Sequence, residues 1–131
     1  MVEFKEVNVN PKGRKTGDCS TRALAKVLGI SYEQALREQC EAAVKYCYGI
    51  TCKETITKVL ENHGWIKMKQ PRKWDNTKYF VGEIDNILSQ RDLNNGVFIS
   101  MANHFTCVKG NELQDIWDCR FKSISNYWIK K

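Results

Sequence analysis

The amino-acid sequence predicts an α+β fold, with helices in the first half of the chain and an antiparallel sheet in the second. In the first half, helix-start signals precede apolar residues at helical spacing. From residue 96 onward the apolar period changes to the two-residue alternation of strands. Helices followed by a run of strands are typical of the α+β class.

Length and composition fit one globular domain. The chain has 131 residues, of which 42% are hydrophobic and 27% are charged, so the composition excludes a disordered protein. A second core would leave each half only marginally stable. No apolar run approaches the ~20 residues needed to cross a bilayer. We therefore expect a single domain over residues 1–131 and no membrane partner.

Three helices are predicted in the first half, each with a start signal. Asp18 is a candidate cap for the first helix, and Gly29 supplies its stop. The second and third open with capping boxes, in which Ser or Thr is followed three residues later by Gln or Glu. The expected helices begin at Asp18, Ser31 and Thr51 and end at Leu28, Tyr46 and His63.

The second half predicts a short fourth helix over 82–90 and a series of strands. Alternating apolar and basic residues indicate a first strand at 65–69. The dipeptide Gly110-Asn111 is a strong hairpin signal between two apolar runs. The remaining strands are expected at 96–101, 104–109, 112–118 and 121–129.

Six cysteines are many for a chain of this length. Residues 1–6 are charged and lack the apolar segment of a signal peptide, so we expect reduced thiols and a cytoplasmic location. The spacings contain no C-x2-C pair, so they do not match a structural zinc site. Cys40 and Cys47 are seven positions apart in a helical pattern and are predicted to face the core.

Three side chains together predict a cysteine nucleophile site. Cys19 lies at the start of the first helix, where the helix dipole lowers the pKa of a thiol. His104 opens one strand of the hairpin, and the opposite strand carries Asp115 and Asp118. A carboxylate there can accept the Nδ1–H of the imidazole and orient the ring. His63, at a helix C-terminus, is interpreted as structural.

Strand parity distinguishes the two aspartates. A two-residue turn at 110–111 would put Asp115 on the same face of the hairpin as His104. A bulged turn with an odd number of residues would put Asp118 there instead. Because the two-residue turn is simpler, Asp115 is the preferred orienting residue and Asp118 is the alternative.

This ordered set of motifs resembles small papain-fold cysteine peptidase-like proteins, many of which are encoded by bacteriophages and bacteria. The resemblance covers about residues 8–120 and is carried by the segments 17–24, 29–32, 104–108 and 115–118. It implies a papain-like core in which a helix bearing the nucleophile Cys19 packs against an antiparallel sheet bearing the base His104.

One departure from the papain pattern concerns the oxyanion hole. Papain-type enzymes have a glutamine several residues before the cysteine, whereas residues 10–18 contain none. The backbone N–H of Cys19 could serve as one donor, with the side chain of Asn10 or Thr16 as a candidate second donor.

The leading hypothesis is therefore a thiol hydrolase or acyl transferase that acts on a peptide or isopeptide amide bond, without a metal or organic cofactor. A second hypothesis is a papain-like fold that has lost efficient catalysis and acts by binding, as a phage effector would. The net charge of +6 permits a third, nucleic-acid binding, through the basic stretch 67–79 with Trp74. The alternative interpretation of that stretch is a solvated strand edge and loop.

Overall fold

The fold is α+β, as predicted, in a computed structural model that describes all residues 1–131. A 3-10 helix spans Val81–Asn86. The helices are α1 (Cys19–Leu28), α2 (Tyr32–Tyr46), α3 (Lys53–Asn62) and α4 (Gln90–Asn95). The strands are β1 (Glu3–Glu6), β2 (Trp65–Met68), β3 (Val97–Met101), β4 (His104–Lys109), β5 (Glu112–Asp115) and β6 (Asn126–Lys130). None of the helices is both long and apolar enough to cross a membrane.

Of the capping interactions predicted at the starts of the first three helices, only the one at α2 is present. The cap of α2 is confirmed, because Ser31 Oγ accepts a hydrogen bond from the Gln34 N–H at 3.0 Å. Asp18 precedes α1, but its carboxylate does not cap the helix. The box predicted for α3 is wrong, since the residue that precedes this helix is Cys52 and it makes no side-chain cap.

The sheet has six strands in the order β1-β5-β4-β3-β6-β2. All pairs are antiparallel except β1 with β5, which is parallel. The expectation of a purely antiparallel sheet is therefore wrong, because β1 was not predicted. Its residues Glu3–Glu6 are mostly charged, as suits a short edge strand that pairs on one side only.

Three boundaries in the second half differ from the prediction. The strand expected at 112–118 ends at Asp115, and the one expected at 121–129 begins at Asn126. The chain bends at residues 116–117, and the Asp118 carboxylate then accepts a hydrogen bond from the Arg120 N–H at 3.1 Å, which forms a turn beyond the strand. The helix expected at 82–90 is the 3-10 helix, and Ser89 caps the unpredicted α4 instead.

Two apolar clusters lie on opposite faces of the sheet. One joins α1, α2 and α3 to side chains such as Phe98 and Trp128. The other joins the 3-10 helix and α4 to residues such as Val97 and Ile99, which alternate with the first set along β3. Because α1 packs on β4, its N-terminal residue Cys19 lies close to the start of that strand.

The six cysteines are all free thiols, but their burial differs from the prediction. Cys40 is half-buried, and Cys47 is exposed and adopts a left-handed conformation with φ 59° where α2 ends. The inward face of α2 consists instead of small residues and Gln39. The buried thiols are Cys107 and Cys119.

Candidate active site

Cys19 is the first residue of α1 and is half-buried. Burial alone raises the pKa of its thiol, but the neighbouring imidazole of His104 and the backbone N–H groups of Phe105 and Ser20 outweigh that effect. The pKa of Cys19 is therefore lowered, as expected for a thiol at a helix N-terminus beside a cation. The environment favours the thiolate.

His104 and Asp115 form the most direct contact in the site. Nε2 of His104 lies 2.7 Å from Oδ2 of Asp115, and the two side chains are 11% and 4% exposed. The register that produces this contact is the one predicted for a two-residue turn, since Lys109 pairs with Glu112. Gly110 occupies the first turn position with φ 64°, which suits glycine.

Both members of this pair have shifted pKa values. Burial lowers the pKa of His104, but the contacts with Asp115, Cys119 and Cys19 outweigh it and raise the value to about 11. Burial raises the pKa of Asp115, yet its hydrogen bonds with His104 and the Ile116 N–H give a net lowering. The charges expected at neutral pH are thus an imidazolium and a carboxylate.

The ring nitrogen that meets the carboxylate is not the expected one. The carboxylate was predicted to accept from Nδ1, but the contact is made by Nε2, the nitrogen farther from the backbone. Asp115 therefore lies at the Nε2 end of the His104 ring, away from the Cβ of His104. Nδ1 is the ring nitrogen that does not contact the carboxylate.

Asp118 does not approach His104. Its carboxylate makes a two-pronged ion pair with the guanidinium of Arg120, at 2.8 and 2.9 Å. Its side chain is 34% exposed. Of the two candidate aspartates, the structure brings only Asp115 to the imidazole.

The two candidate oxyanion donors are also elsewhere. Asn10 Nδ2 donates to Asp18 Oδ2 at 2.8 Å, so its amide supports the loop before α1. Thr16 is exposed, and its carbonyl accepts a hydrogen bond from buried Arg22 at 3.2 Å. Neither residue lines the cleft beside Cys19. The expectation that one of them completes an oxyanion hole is therefore corrected.

Asp18 directly precedes the nucleophile candidate, and a bare carboxylate there would oppose a thiolate. The guanidinium of Arg22 contacts the Asp18 carboxylate. The hydroxyl of Tyr32 and the amide of Asn10 each donate to its Oδ2 at 2.8 Å. These partners compensate the Asp18 charge and hold the residues that lead into α1.

A cleft of about 430 Å³ opens beside the thiol and the imidazole. Its volume lies within the range of ligand-binding clefts, and both reactive groups line it. The other side chains and backbone that line it belong to Gly17, Thr51, Lys53, Ser100, Met101, Asn103 and Phe105.

Two further side chains lie beside the imidazole and its carboxylate. The register of a two-residue turn predicts Trp117 opposite His104, and the centroids of the two rings lie 4.9 Å apart. Sequence reasoning missed Cys119, whose thiol donates weakly to Asp115 Oδ2 at 3.7 Å and whose pKa is raised by burial. Cys119 lies beyond the end of β5, where no strand pattern signals its position.

His104, Asp115 and Cys119 are the group that could hold a metal ion, since one ligand atom from each lies within 4.8 Å of the others. A metal would have to replace the direct 2.7 Å contact between the imidazole and the carboxylate. It would also need the Cys119 thiolate, which burial disfavours by raising the pKa. These side chains fit a hydrogen-bonded pair of imidazolium and carboxylate better than they fit a metal centre.

The basic stretch begins in β2 and continues as a turn on the surface. Trp74 at its tip is 98% exposed. Arg72 and Lys78 are paired across the turn, and Lys73 forms an ion pair with Glu83 at 3.1 Å. His63 contacts Glu38 at 2.6 Å and so ties α3 to α2, in agreement with a structural role.

The candidate site combines a thiol with a lowered pKa, an imidazole held by a carboxylate and an open cleft. This set can perform nucleophilic attack, proton donation to a leaving group and activation of water. The chain has no match among models of known protein families, curated proteins or solved structures.

Proposed function

We propose that this protein is a papain-like thiol hydrolase or acyl transferase that acts on a peptide or isopeptide amide bond. The observation that carries the proposal is that Cys19, at the head of α1, lines one cleft with His104, whose Nε2 lies 2.7 Å from Asp115 and whose imidazole lowers the pKa of the thiol. A helix bearing the thiol, packed on a strand bearing the imidazole, supports a papain-like core and kinship with the phage and bacterial proteins of that type.

The first chemical step is acylation of the thiol. The Cys19 thiolate attacks the carbonyl carbon of the amide and forms a C–S bond. His104, as imidazolium, donates its proton to the departing nitrogen while the C–N bond breaks. Asp115 keeps its charge throughout and holds the ring in position. The products are a thioester on Cys19, a free amine and a neutral imidazole.

The second step releases the acyl group. Neutral His104 removes a proton from water, or from an acceptor amine, and that nucleophile attacks the thioester. The C–S bond breaks, and the thiolate–imidazolium pair is restored. Water gives hydrolysis and an amine gives transfer. The free state of all six thiols supports action in a reducing compartment such as the cytoplasm.

A peptide library read by mass spectrometry tests this proposal. The wild-type protein should release new N-termini and carry a transient acyl group on Cys19. Cys19→Ser should do neither, and Cys52→Ser, which changes an exposed thiol outside the cleft, should act as wild type. Equal product from wild type and Cys19→Ser, or no product and no acyl group on a reactive Cys19, would favour the non-catalytic binding module.

The exposure of Trp74 favours a second candidate function, binding of single-stranded nucleic acid. An indole that is 98% exposed between Arg72 and Lys78 could stack on a base while the cations contact phosphates. Titration with a single-stranded oligonucleotide at low salt should then quench tryptophan fluorescence, and both Trp74→Ala and added salt should abolish the change. Quenching that survives Trp74→Ala would exclude this mode.

A further inference from the structure

We propose that the cleft beside Cys19 binds a carboxylate of the substrate, next to the scissile bond, through Lys53. This inference rests on the proposed function, since it names the class of substrate for the same site. Lys53 lines the cleft together with Cys19 and His104. An acidic peptide, or a peptide that ends in a free carboxylate near the cleaved bond, has the chemistry that this cation recognises.

The Lys53 ammonium is held in place by a neutral partner. Its Nζ donates to Asn126 Oδ1 at 3.0 Å. Asn126 is itself fixed, because its Nδ2 donates to the Met68 carbonyl and its backbone N–H donates to Ser100 Oγ, each at 3.0 Å. A cation held in this way is preorganised for an incoming anion.

Lys53 has no carboxylate partner within ion-pair distance, although its neighbour Glu54 lies on the same helix. Burial and then the charge of Lys67 lower its pKa. A half-buried cation near another cation is unfavourable unless an anion approaches. A substrate carboxylate would supply that anion and leave the bond to Asn126 intact.

The charged residues that line the cleft also favour binding of an anion. Its nine lining residues include Lys53 and His104 but no carboxylate. Asp115 lies behind the imidazole and is 4% exposed. Lys53 also borders the adjacent depression, which contains Lys58 and Lys67 as well as Glu54 and Glu61. Because the Cys19 thiolate and the His104 imidazolium balance each other, Lys53 gives the lining of the cleft a net positive charge, which attracts anions.

Alkylation of Cys19 by two matched reagents tests the inference without a known substrate. Iodoacetate carries a carboxylate where iodoacetamide carries a neutral amide. If Lys53 receives an anion beside the thiol, Lys53→Gln should lower the ratio of the iodoacetate rate to the iodoacetamide rate about fivefold. The iodoacetamide rate itself should stay within about twofold, because the thiolate is maintained by His104 rather than by Lys53.

Two further variants and salt make the test specific. Lys53→Arg keeps the charge and should retain most of the preference for iodoacetate. Lys122→Gln removes the charge of an exposed lysine that does not line the cleft, and should leave the ratio unchanged. Added salt should lower the wild-type ratio and have less effect on Lys53→Gln.

The outcomes separate this inference from the proposed function. Slow reaction of Cys19 with both reagents would overturn the proposed function. Fast reaction with an unchanged ratio in Lys53→Gln would overturn the carboxylate site alone. An equal loss of both rates in folded Lys53→Gln would also overturn it, since the lysine would then act on the thiol or on the reaction centre for every reagent.

Discussion

His104 and Asp115 face each other at the open end of the β4–β5 hairpin, with Nε2 and Oδ2 2.7 Å apart. The second carboxylate oxygen, Oδ1, accepts a hydrogen bond from the Ile116 N–H at 2.6 Å, so the carboxylate is held on both sides. Trp117 covers the imidazole at 4.9 Å between centroids. The register of one hairpin therefore sets both the orientation and the charge of the base.

The first prediction concerns selectivity among the six thiols. At about pH 6.5 an ordinary thiol is only about 1% ionised, whereas the lowered pKa of Cys19 keeps more of it as thiolate. Brief labelling with iodoacetamide followed by peptide mapping should find Cys19 modified first. Cys47 and Cys52 are the controls, because they are more exposed than Cys19. Faster labelling of either would mean that access, not ionisation, governs reactivity.

The second prediction concerns the base. His104→Ala removes the group that most strongly favours the Cys19 thiolate, so the alkylation rate near neutral pH should fall about tenfold or more. Unfolding should stay cooperative, because His104 lies at a strand end and not in an apolar cluster. Loss of cooperative unfolding, with reactivity kept in the folded fraction, would make His104 a structural residue.

The third prediction compares the two aspartates as a matched pair. Asp115→Asn should lower Cys19 reactivity, although by less than the ~10⁴ that the analogous change costs serine enzymes, because the thiolate is already formed before attack. Asp118→Asn breaks only the ion pair with Arg120 and should leave reactivity unchanged. Alkylation rates and melting temperatures of both variants distinguish them. The reverse pattern would show that Asp118 orients the ring.

The sequence was sufficient for the local part of this site. The dipeptide at 110–111 predicts a two-residue turn, and the length of that turn fixes the register of the two strands. In that register Asp115, rather than Asp118, lies on the same face as His104, as the structure has it. The start of α1 at Cys19 followed from the helix signals around it. Each step depended on a few consecutive residues, for which sequence rules are strong.

The features that could not be predicted from the sequence depend on contacts between segments that are distant along the chain. Strand β1 forms only because β5 offers it an edge, and the charged residues 3–6 carry no strand pattern. The chain bends at residues 116–117 directly after β5, and Cys119 returns to within 3.7 Å of Asp115. Lys53 reaches the cleft because α3 packs beside β2 and thus near Asn126 on β6, an arrangement that no local rule encodes.

The fourth prediction is a pH dependence of stability. The pKa of His104 rises from 6.5 to about 11 on folding. A base whose pKa is raised on folding contributes its full stabilisation below the unfolded value and loses it as the pH rises toward the folded value. The stability advantage of wild type over His104→Ala should therefore be largest near pH 6.5 and decline toward pH 11, as measured by denaturant unfolding. A constant or growing advantage would contradict the raised pKa.

The fifth prediction concerns the buried amide that anchors the start of α1. Gln39 is fully buried, accepts from Thr21 Oγ1 at 2.5 Å and donates to Ser20 Oγ at 3.0 Å. Gln39→Ala leaves both hydroxyls buried without this partner and should lower the free energy of unfolding by about 2 kcal/mol. Gln34→Ala, on the exposed side of α2, is the control and should change it little. Equal effects would show that Gln39 has no anchoring role.

The most direct test of the central claim is the ionisation of Cys19 itself. The ultraviolet absorbance of the thiolate, taken as wild type minus Cys19→Ser, can be followed against pH in the folded protein. Because His104 lowers the pKa of Cys19, the difference signal should already be present at neutral pH and should move up to the range of an ordinary thiol, about 8.5, in His104→Ala. A wild-type signal that first rises in the ordinary thiol range, unchanged by His104→Ala, would contradict the thiolate–imidazolium site.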